Sequence, residues 1–146
     1  MIDCTSYIEL LRQMISIPSL SKDEGAVTAL LSSALDRMGI SHKVYKNNIV
    51  ALNRNYSADK KTLVLDAHID TVPAAESYTR DPFDAGNDAE IIYGLGSNDD
   101  GGCVVAMIAA FEHYYDKELP FNLMLSLSSE EECSGPDGAS WLYAAD

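Results

Sequence analysis

Apolar residues recur at helical spacing in two stretches near the start of the chain. Tyr7, Ile8, Leu11, Met14 and Ile15 form one side of a first helix, which stops at Ile17-Pro18-Ser19 because proline disfavours a helical conformation in the residue before it. Val27, Leu30, Leu31 and Leu35 do the same for a second helix from about Asp23 to Met38, with Gly39 as its C-terminal stop. The pattern then changes period. His42 to Tyr45 and Asn48 to Asn53 carry Val44, Tyr45, Ile49 and Val50, a β-type composition, and Lys46-Asn47 between them suits the turn of a hairpin. Thr62 to Ala67 is a nearly continuous apolar run, which predicts a strand buried on both faces, and it ends directly in His68-Ile69-Asp70.

From Pro73 to Glu90 no period survives, and the stretch is rich in Ala, Asp, Asn, Gly and Pro, so it reads as a long loop of the kind that often carries function. Ile91-Ile92-Tyr93 reads as a short strand after it. Val104, Val105, Ile108, Ala109 and Phe111 predict a mostly buried helix over Gly101 to Tyr115, with Leu119-Pro120 as the breaker. Asn122 to Leu127 is a further buried strand, running into Ser128-Ser129-Glu130-Glu131-Glu132. Asp137 to Asp146 starts a helix with Trp141, Leu142 and Tyr143 and stops without a cap, which reads as a truncated chain. Helices alternating with strands, and polar clusters at strand ends, predict an α/β sandwich whose ligands sit outside the carboxyl ends of the strands.

Composition narrows the function classes. With 146 residues, 47% of them apolar, the chain can bury the core of one ordinary domain. A formal charge of -13, with only ten Lys and Arg, excludes a phosphate backbone or an anionic membrane as the natural partner. Cys4, Cys103 and Cys133 are odd in number and lack paired spacing, so they read as free thiols in a reducing, cytosolic compartment. Met1 to Met14 has neither a basic n-region nor a long apolar run, so no signal peptide or spanning helix is expected.

Three polar clusters change the picture. Residues two apart in a strand face the same side, so His68 and Asp70 can converge while Ile69 points into packing. That suits an imidazole ligand with a carboxylate behind it, although an isolated His-x-Asp more simply hydrogen-bonds loop backbone. Gly94-Leu95-Gly96-Ser97-Asn98-Asp99-Asp100-Gly101-Gly102 places two acids in a glycine-rich turn before a helix. It lacks the Lys and Ser/Thr of a phosphate loop and the ligand spacing of a calcium loop, so alone it is a tight turn. Glu130-Glu131-Glu132 alone is a solvated helix start. If the strand ends meet, however, Asp70, Asp99, Glu131 and Glu132 come together. Like charges 4 Å apart repel by roughly 4 kcal/mol per pair at an effective dielectric near 20, so such a cluster needs cations. One imidazole with oxygen ligands suits zinc, cobalt or manganese, and two dications would balance four carboxylates. Two metals roughly 3.5–4 Å apart can generate hydroxide near neutral pH and polarise a carbonyl, leaving a carboxylate to carry a proton to the leaving amine. Metal-assisted amide hydrolysis is the reaction class.

His68-Ile69-Asp70-Thr71-Val72-Pro73, Tyr93-Gly94-Leu95-Gly96-Ser97-Asn98-Asp99 and Ser129-Glu130-Glu131-Glu132 resemble, in order and rough spacing, the dinuclear zinc aminoacylase/carboxypeptidase family that contains acetylornithine deacetylase, succinyl-diaminopimelate desuccinylase and carboxypeptidase G. Asp81-Pro82-Phe83 and the Gly94-Leu95-Gly96-Ser97-Asn98-Asp99 form look closest to acetylornithine deacetylase-like members. The chain departs from the family's common Arg at Leu95, Asp at Glu130, and Met-Lys or Asp-Lys at Asp100-Gly101, changes that leave the metal-site positions intact and bear against the substrate assignment.

The resemblance implies that residues 1–146 are the N-terminal portion of a catalytic domain, a three-layer sandwich with a mixed, largely parallel central sheet. It implies His68 as ligand to one of two divalent metals, zinc foremost, with cobalt or manganese as alternatives. Asp99 would be the bridging carboxylate, Glu132 the ligand to the other metal, Glu131 the general acid/base and Asp70 the residue orienting His68, with Glu130 a neighbour only. It also implies a cis Asp99-Asp100 peptide. The expected substrate is an N-acyl amino acid, N-acetylornithine or a related N-acylornithine in arginine biosynthesis. A dipeptidase or carboxypeptidase, or a non-catalytic metal-binding chain, is the alternative. Family members carry further ligands and a lid and dimerisation domain that have no counterpart before Asp146, so this portion alone is expected to be inactive, and homodimerisation is expected through the missing lid. His42 and His113 match no motif and read as structural or surface residues.

Overall fold

The computed structural model describes residues 4–140. Helices α1 (Thr5–Ile15) and α2 (Gly25–Arg37) come first, followed by strands β1 (His42–Tyr45), β2 (Asn48–Leu52) and β3 (Thr62–His68), helix α3 (Gly101–Tyr114) and strand β4 (Asn122–Ser128). The 3.6-residue periodicity places the helices to within a few residues, and the hairpin turns where Lys46 takes a φ of 55°. A helix begins again at Ala139 and Ser140. Trp141, Leu142 and Tyr143, on which its prediction rests, lie outside the described residues.

The strands form one sheet in the order β1-β2-β4-β3. It is mixed, as expected, but β1 with β2 and β2 with β4 are antiparallel and β3 with β4 is the one parallel pairing, so the largely parallel expectation is not met within the described residues. The reason is local. A two-residue turn forces β1 and β2 antiparallel, whereas β3 reaches β4 through the loop and α3, the crossover a parallel pair requires.

Ile49 pairs with Leu127 and Ala51 with Leu125, so these residues share one face, and α2 and α3 pack over that face, with α1 packed against α3 and α2. Leu31, Leu35, Ile49, Ile108, Phe111, Leu125 and Leu127 are fully buried there. Each such aliphatic or aromatic side chain contributes about 1.5–3 kcal/mol. The opposite face, carrying Leu52, Val64 and Met124, is left partly open: Leu52 is 39% and Val64 37% exposed. The described residues therefore make two layers, and the third layer is not among them. The expectation that β3 is buried on both faces also fails among them, because β3 is an edge strand whose Leu63 is 50% exposed. Among the described residues no helix is long and apolar enough to cross a membrane.

Residues 73–90 form the expected long loop, but Ile91-Ile92-Tyr93 is not a strand. Its backbone folds onto the loop instead: Tyr93 N–H donates to Ala85 O at 3.1 Å and Leu95 N–H to Pro82 O at 2.8 Å. The Arg80 guanidinium lies 3.9 Å from the Tyr93 ring centroid. From α1, Arg12 donates to the carbonyls of Ala85, Gly86 and Asp88, which fastens this loop to the helix layer. Three apolar residues are too few to outcompete those bonds.

Candidate metal centre

The parallel register sets His68 opposite Ser128, so β3 and β4 end side by side. Ile69 N–H still donates to Ser128 O at 2.9 Å, and Ile69 is buried in the core while His68 and Asp70 turn to the other side, as the strand alternation predicts. The glycine-rich loop then lies across these strand ends. Gly94, with φ of 104°, passes so close to α1 that a Cβ there would run into Ile15 Cγ2. Beyond it the Asp99-Asp100 peptide is cis, as the resemblance implies.

This brings together the residues singled out from the sequence. His68 Nε2 lies 3.0 Å from Asp99 Oδ1 and 3.9 Å from Glu131 Oε2. One ligand atom each from His68, Asp99 and Glu132 falls within 4.8 Å of the others. Behind the imidazole, Nδ1 is 3.1 Å from the Asp70 carbonyl and 3.6 Å from its carboxylate. With the carbonyl as acceptor, Nδ1 carries the proton and Nε2 faces the acids. Asp70 is fully buried at its side chain and accepts from three further donors: Ser21 Oγ–H at 2.7 Å, Glu131 N–H at 3.0 Å and Glu132 N–H at 3.1 Å. Glu130 points away, its carboxylate accepting from Asp137 N–H at 3.3 Å. It is a neighbour, not a member of the cluster. His42 bonds Ser32 and Ile40, and His113 sits beside Lys117, both away from the site.

The electrostatics follow from this crowding. The Asp70 carboxylate, aided by Asp99 and opposed by burial, pushes the His68 imidazole up to about 9. Burial pushes the Asp70 carboxyl up, but His68, Ser21 and the two backbone amides outweigh it and hold the group at about 2. Burial and then the neighbouring Asp99 charge raise Glu132. Among the described residues the ion pairs of Asp99 and Glu131 are with His68 alone, so no lysine or arginine neutralises the cluster. An imidazole nitrogen open to three surplus carboxylates is a donor set that fits a borderline dication such as zinc, cobalt or manganese, and not a phosphate. The cluster borders an open cleft of about 220 Å³ lined by Thr71, Val72, Tyr78, Leu95, Asn98 and the two acids Asp99 and Glu132.

Two residues of this region were not singled out from the sequence. Ser21 lies in the break between α1 and α2 and Glu24 at the N-cap of α2, inside the span predicted as helix, and no motif marks either. The bridge between Leu20 and Thr71, with Thr71 N–H on Ser19 O at 2.8 Å, is what carries Ser21 to Asp70.

Residues 64–146 match the sequence pattern of peptidase family M20/M25/M40. The chain is 30% identical over 139 residues to a succinyl-diaminopimelate desuccinylase of Buchnera aphidicola, covering 91% of this chain and 36% of that protein. A second, from Wolinella succinogenes, is 32% identical over 133 residues, covering 87% of this chain and 34% of that one. Among solved structures, an M20 family metallo-carboxypeptidase from Sulfolobus solfataricus superposes with a TM-score of 0.72 at 28% identity, over 86% of this chain and 31% of that one. A dinuclear metal-binding M20 peptidase of Bacillus subtilis shares the fold, with a TM-score of 0.71 at 20% identity, over 97% of this chain and 39% of that one. The chain thus spans about a third of the length of these relatives, and over that span its sequence pattern and fold agree with theirs: it belongs to peptidase family M20/M25/M40.

Proposed function

We propose that this chain supplies part of the active site of a metal-dependent amidohydrolase that removes the acyl group from an N-acyl amino acid. The observation that carries the reading is the convergence of His68, Asp99 and Glu132 within 4.8 Å, beside Glu131, at the mouth of a cleft. His68, Asp99 and Glu132 would hold two divalent ions, zinc first. When bound, the ions supply Lewis acidity toward the amide carbonyl and toward water.

The chain's own residues do the rest. Asp70 fixes the tautomer of His68 from behind, keeping Nε2 directed at the acids. Glu131 is the exposed acid beside the imidazole that is left over from metal binding, with no lysine or arginine partner among the described residues. Its carboxylate takes a proton from the attacking water and delivers it to the departing amine nitrogen. Thr71, Val72 and Leu95 line the cleft in which the substrate lies.

The likeness of Asp81-Pro82-Phe83 and of the Gly94-Leu95-Gly96-Ser97-Asn98-Asp99 loop to acetylornithine deacetylase-like members supports N-acetylornithine or a related N-acylornithine, and with it arginine biosynthesis. The name borne by the curated relatives supports an N-succinyl amino acid as a second reading, and the Sulfolobus solfataricus relative supports a peptide substrate. A cytoplasmic location suits three exposed cysteines that form no disulfide with one another.

The test is hydrolysis of N-acetylornithine, N-succinyl-diaminopimelate and a dipeptide by a protein that carries this chain at the length of its relatives. Glu131→Gln is expected to lower kcat by about 10²–10⁴-fold with metal content unchanged. Equal turnover by wild type and Glu131→Gln would exclude the assigned role.

A further inference from the structure

Glu24 is fully buried, and among the described residues no lysine, arginine or histidine side chain accompanies it. Its carboxylate sits at the start of α2, where the positive end of the helix dipole favours an anion, and it accepts from three elements at once. Oε1 takes Lys22 N–H at 2.7 Å and Glu130 N–H at 3.2 Å, and Oε2 takes Asn47 Nδ2–H at 2.7 Å. Thr28 Oγ–H on Asn47 O, at 3.1 Å, ties the hairpin turn to the same helix end.

The bond to Glu130 matters most. Glu130 lies just beyond the paired end of β4 and has a φ of 56°, a conformation that a non-glycine residue holds only when its surroundings fix it. The next two amides, Glu131 and Glu132, are those taken by Asp70. Three consecutive N–H groups are therefore gripped by two buried carboxylates on different elements. We infer that Glu24 is a positioning residue: with Asp70 it forms the cradle that aims the Glu131 and Glu132 side chains at His68 and Asp99. The inference rests on the proposed roles of Glu131 and Glu132 but makes a claim of its own, that this turn is held from beneath by a group that touches neither metal nor substrate.

The experiment is amide hydrogen exchange on the 146-residue chain, read at Glu130, Glu131 and Glu132 against core amides such as Leu125, together with Co²⁺ titration followed by visible absorption. In Glu24→Gln an amide nitrogen replaces one oxygen and faces the Asn47 NH₂, so a bond is lost. Glu24→Gln combined with Asn47→Asp restores it, because the introduced amide then donates to the introduced carboxylate. Glu24→Gln is expected to speed exchange at Glu130, Glu131 and Glu132 by about tenfold or more while Leu125 is unchanged, to weaken Co²⁺ binding by about tenfold, and to recover both in the double variant. Unchanged exchange at these three amides overturns the inference, as does faster exchange there with Co²⁺ affinity and spectrum unaltered. Uniform loosening of every amide without rescue overturns it too, because that is a fold defect. If Glu24→Gln does not fold, Asn47→Ala, which removes one of the three donors, is expected to loosen the same amides by a smaller factor, and no change there overturns it. If wild type binds no Co²⁺, the metal reading fails and the exchange result alone decides whether Glu24 holds the turn.

Discussion

Every oxygen of the Asp70 carboxylate has a donor: Glu131 N–H on Oδ1, and Ser21 Oγ–H with Glu132 N–H on Oδ2. Removing the side chain strands three donors and leaves His68 without its nearest buried carboxylate. Asp70→Ala is therefore expected to cost on the order of 3 kcal/mol in urea denaturation and to weaken metal binding about 10- to 100-fold. A change in neither would mean that Asp70 only fills space. His68, Asp70, Asp99, Glu131 and Glu132 were legible in the sequence because each sits at the end of an apolar run or in a glycine turn, where a charged residue has few structural reasons to be. Ser21 and Glu24 were not, because a hydroxyl in a short aperiodic break and a carboxylate at a helix start both look like ordinary capping chemistry. Only the bridge to Thr71 and the register of the hairpin turn bring them under the site.

At the scale of elements, α1 and α3 are joined by a polar contact as well as by their apolar faces: Tyr7 Oη–H donates to Glu112. Burial, and next the Glu112 carboxylate, push the Tyr7 phenol above its ordinary value. A group whose folded-state pKa is raised contributes stability that is fully present below the unfolded value, about pH 10, and is lost as the pH climbs toward the folded one. Wild-type stability is thus expected to fall more steeply than that of Tyr7→Phe between about pH 10 and about pH 12, measured as urea midpoints. Parallel curves would show that the bond contributes nothing. The helices and the hairpin were readable because their periodicity is intrinsic to the chain. Ile91-Ile92-Tyr93 misled because β-type composition is only a preference for a half-buried surface, and here the loop from Pro82 to Ala85 supplies that surface in place of a sheet.

At the scale of the whole molecule, the described residues cover one sheet face with α2 and α3, α1 packing against both, while the other face carries Leu52 and Val64 in contact with solvent and β3 is an open edge. An exposed apolar edge strand is a template for pairing with another chain. The 146-residue chain is expected to self-associate as its concentration rises, and Val64→Lys to reduce that association in light scattering without lowering the melting temperature by more than a few degrees. Identical association by wild type and Val64→Lys would contradict this. The continuous apolar run at Thr62–Ala67 predicted burial on both faces, and the described residues bury it only toward Ala67 on the helix-covered face, where Leu63 stays 50% exposed. That mismatch follows from reading a strand's environment out of its own residues, when the covering layer is set by parts of the fold elsewhere.

The central claim is that the acids gathered around His68 bind a dication. Titrating the chain with Co²⁺ while recording visible absorption tests it most directly, because the bands report ligation by nitrogen and oxygen. About one or more Co²⁺ per chain, with the bands lost in His68→Ala, is the predicted result. No bands in wild type, or the same bands and affinity in His68→Ala, would contradict the account.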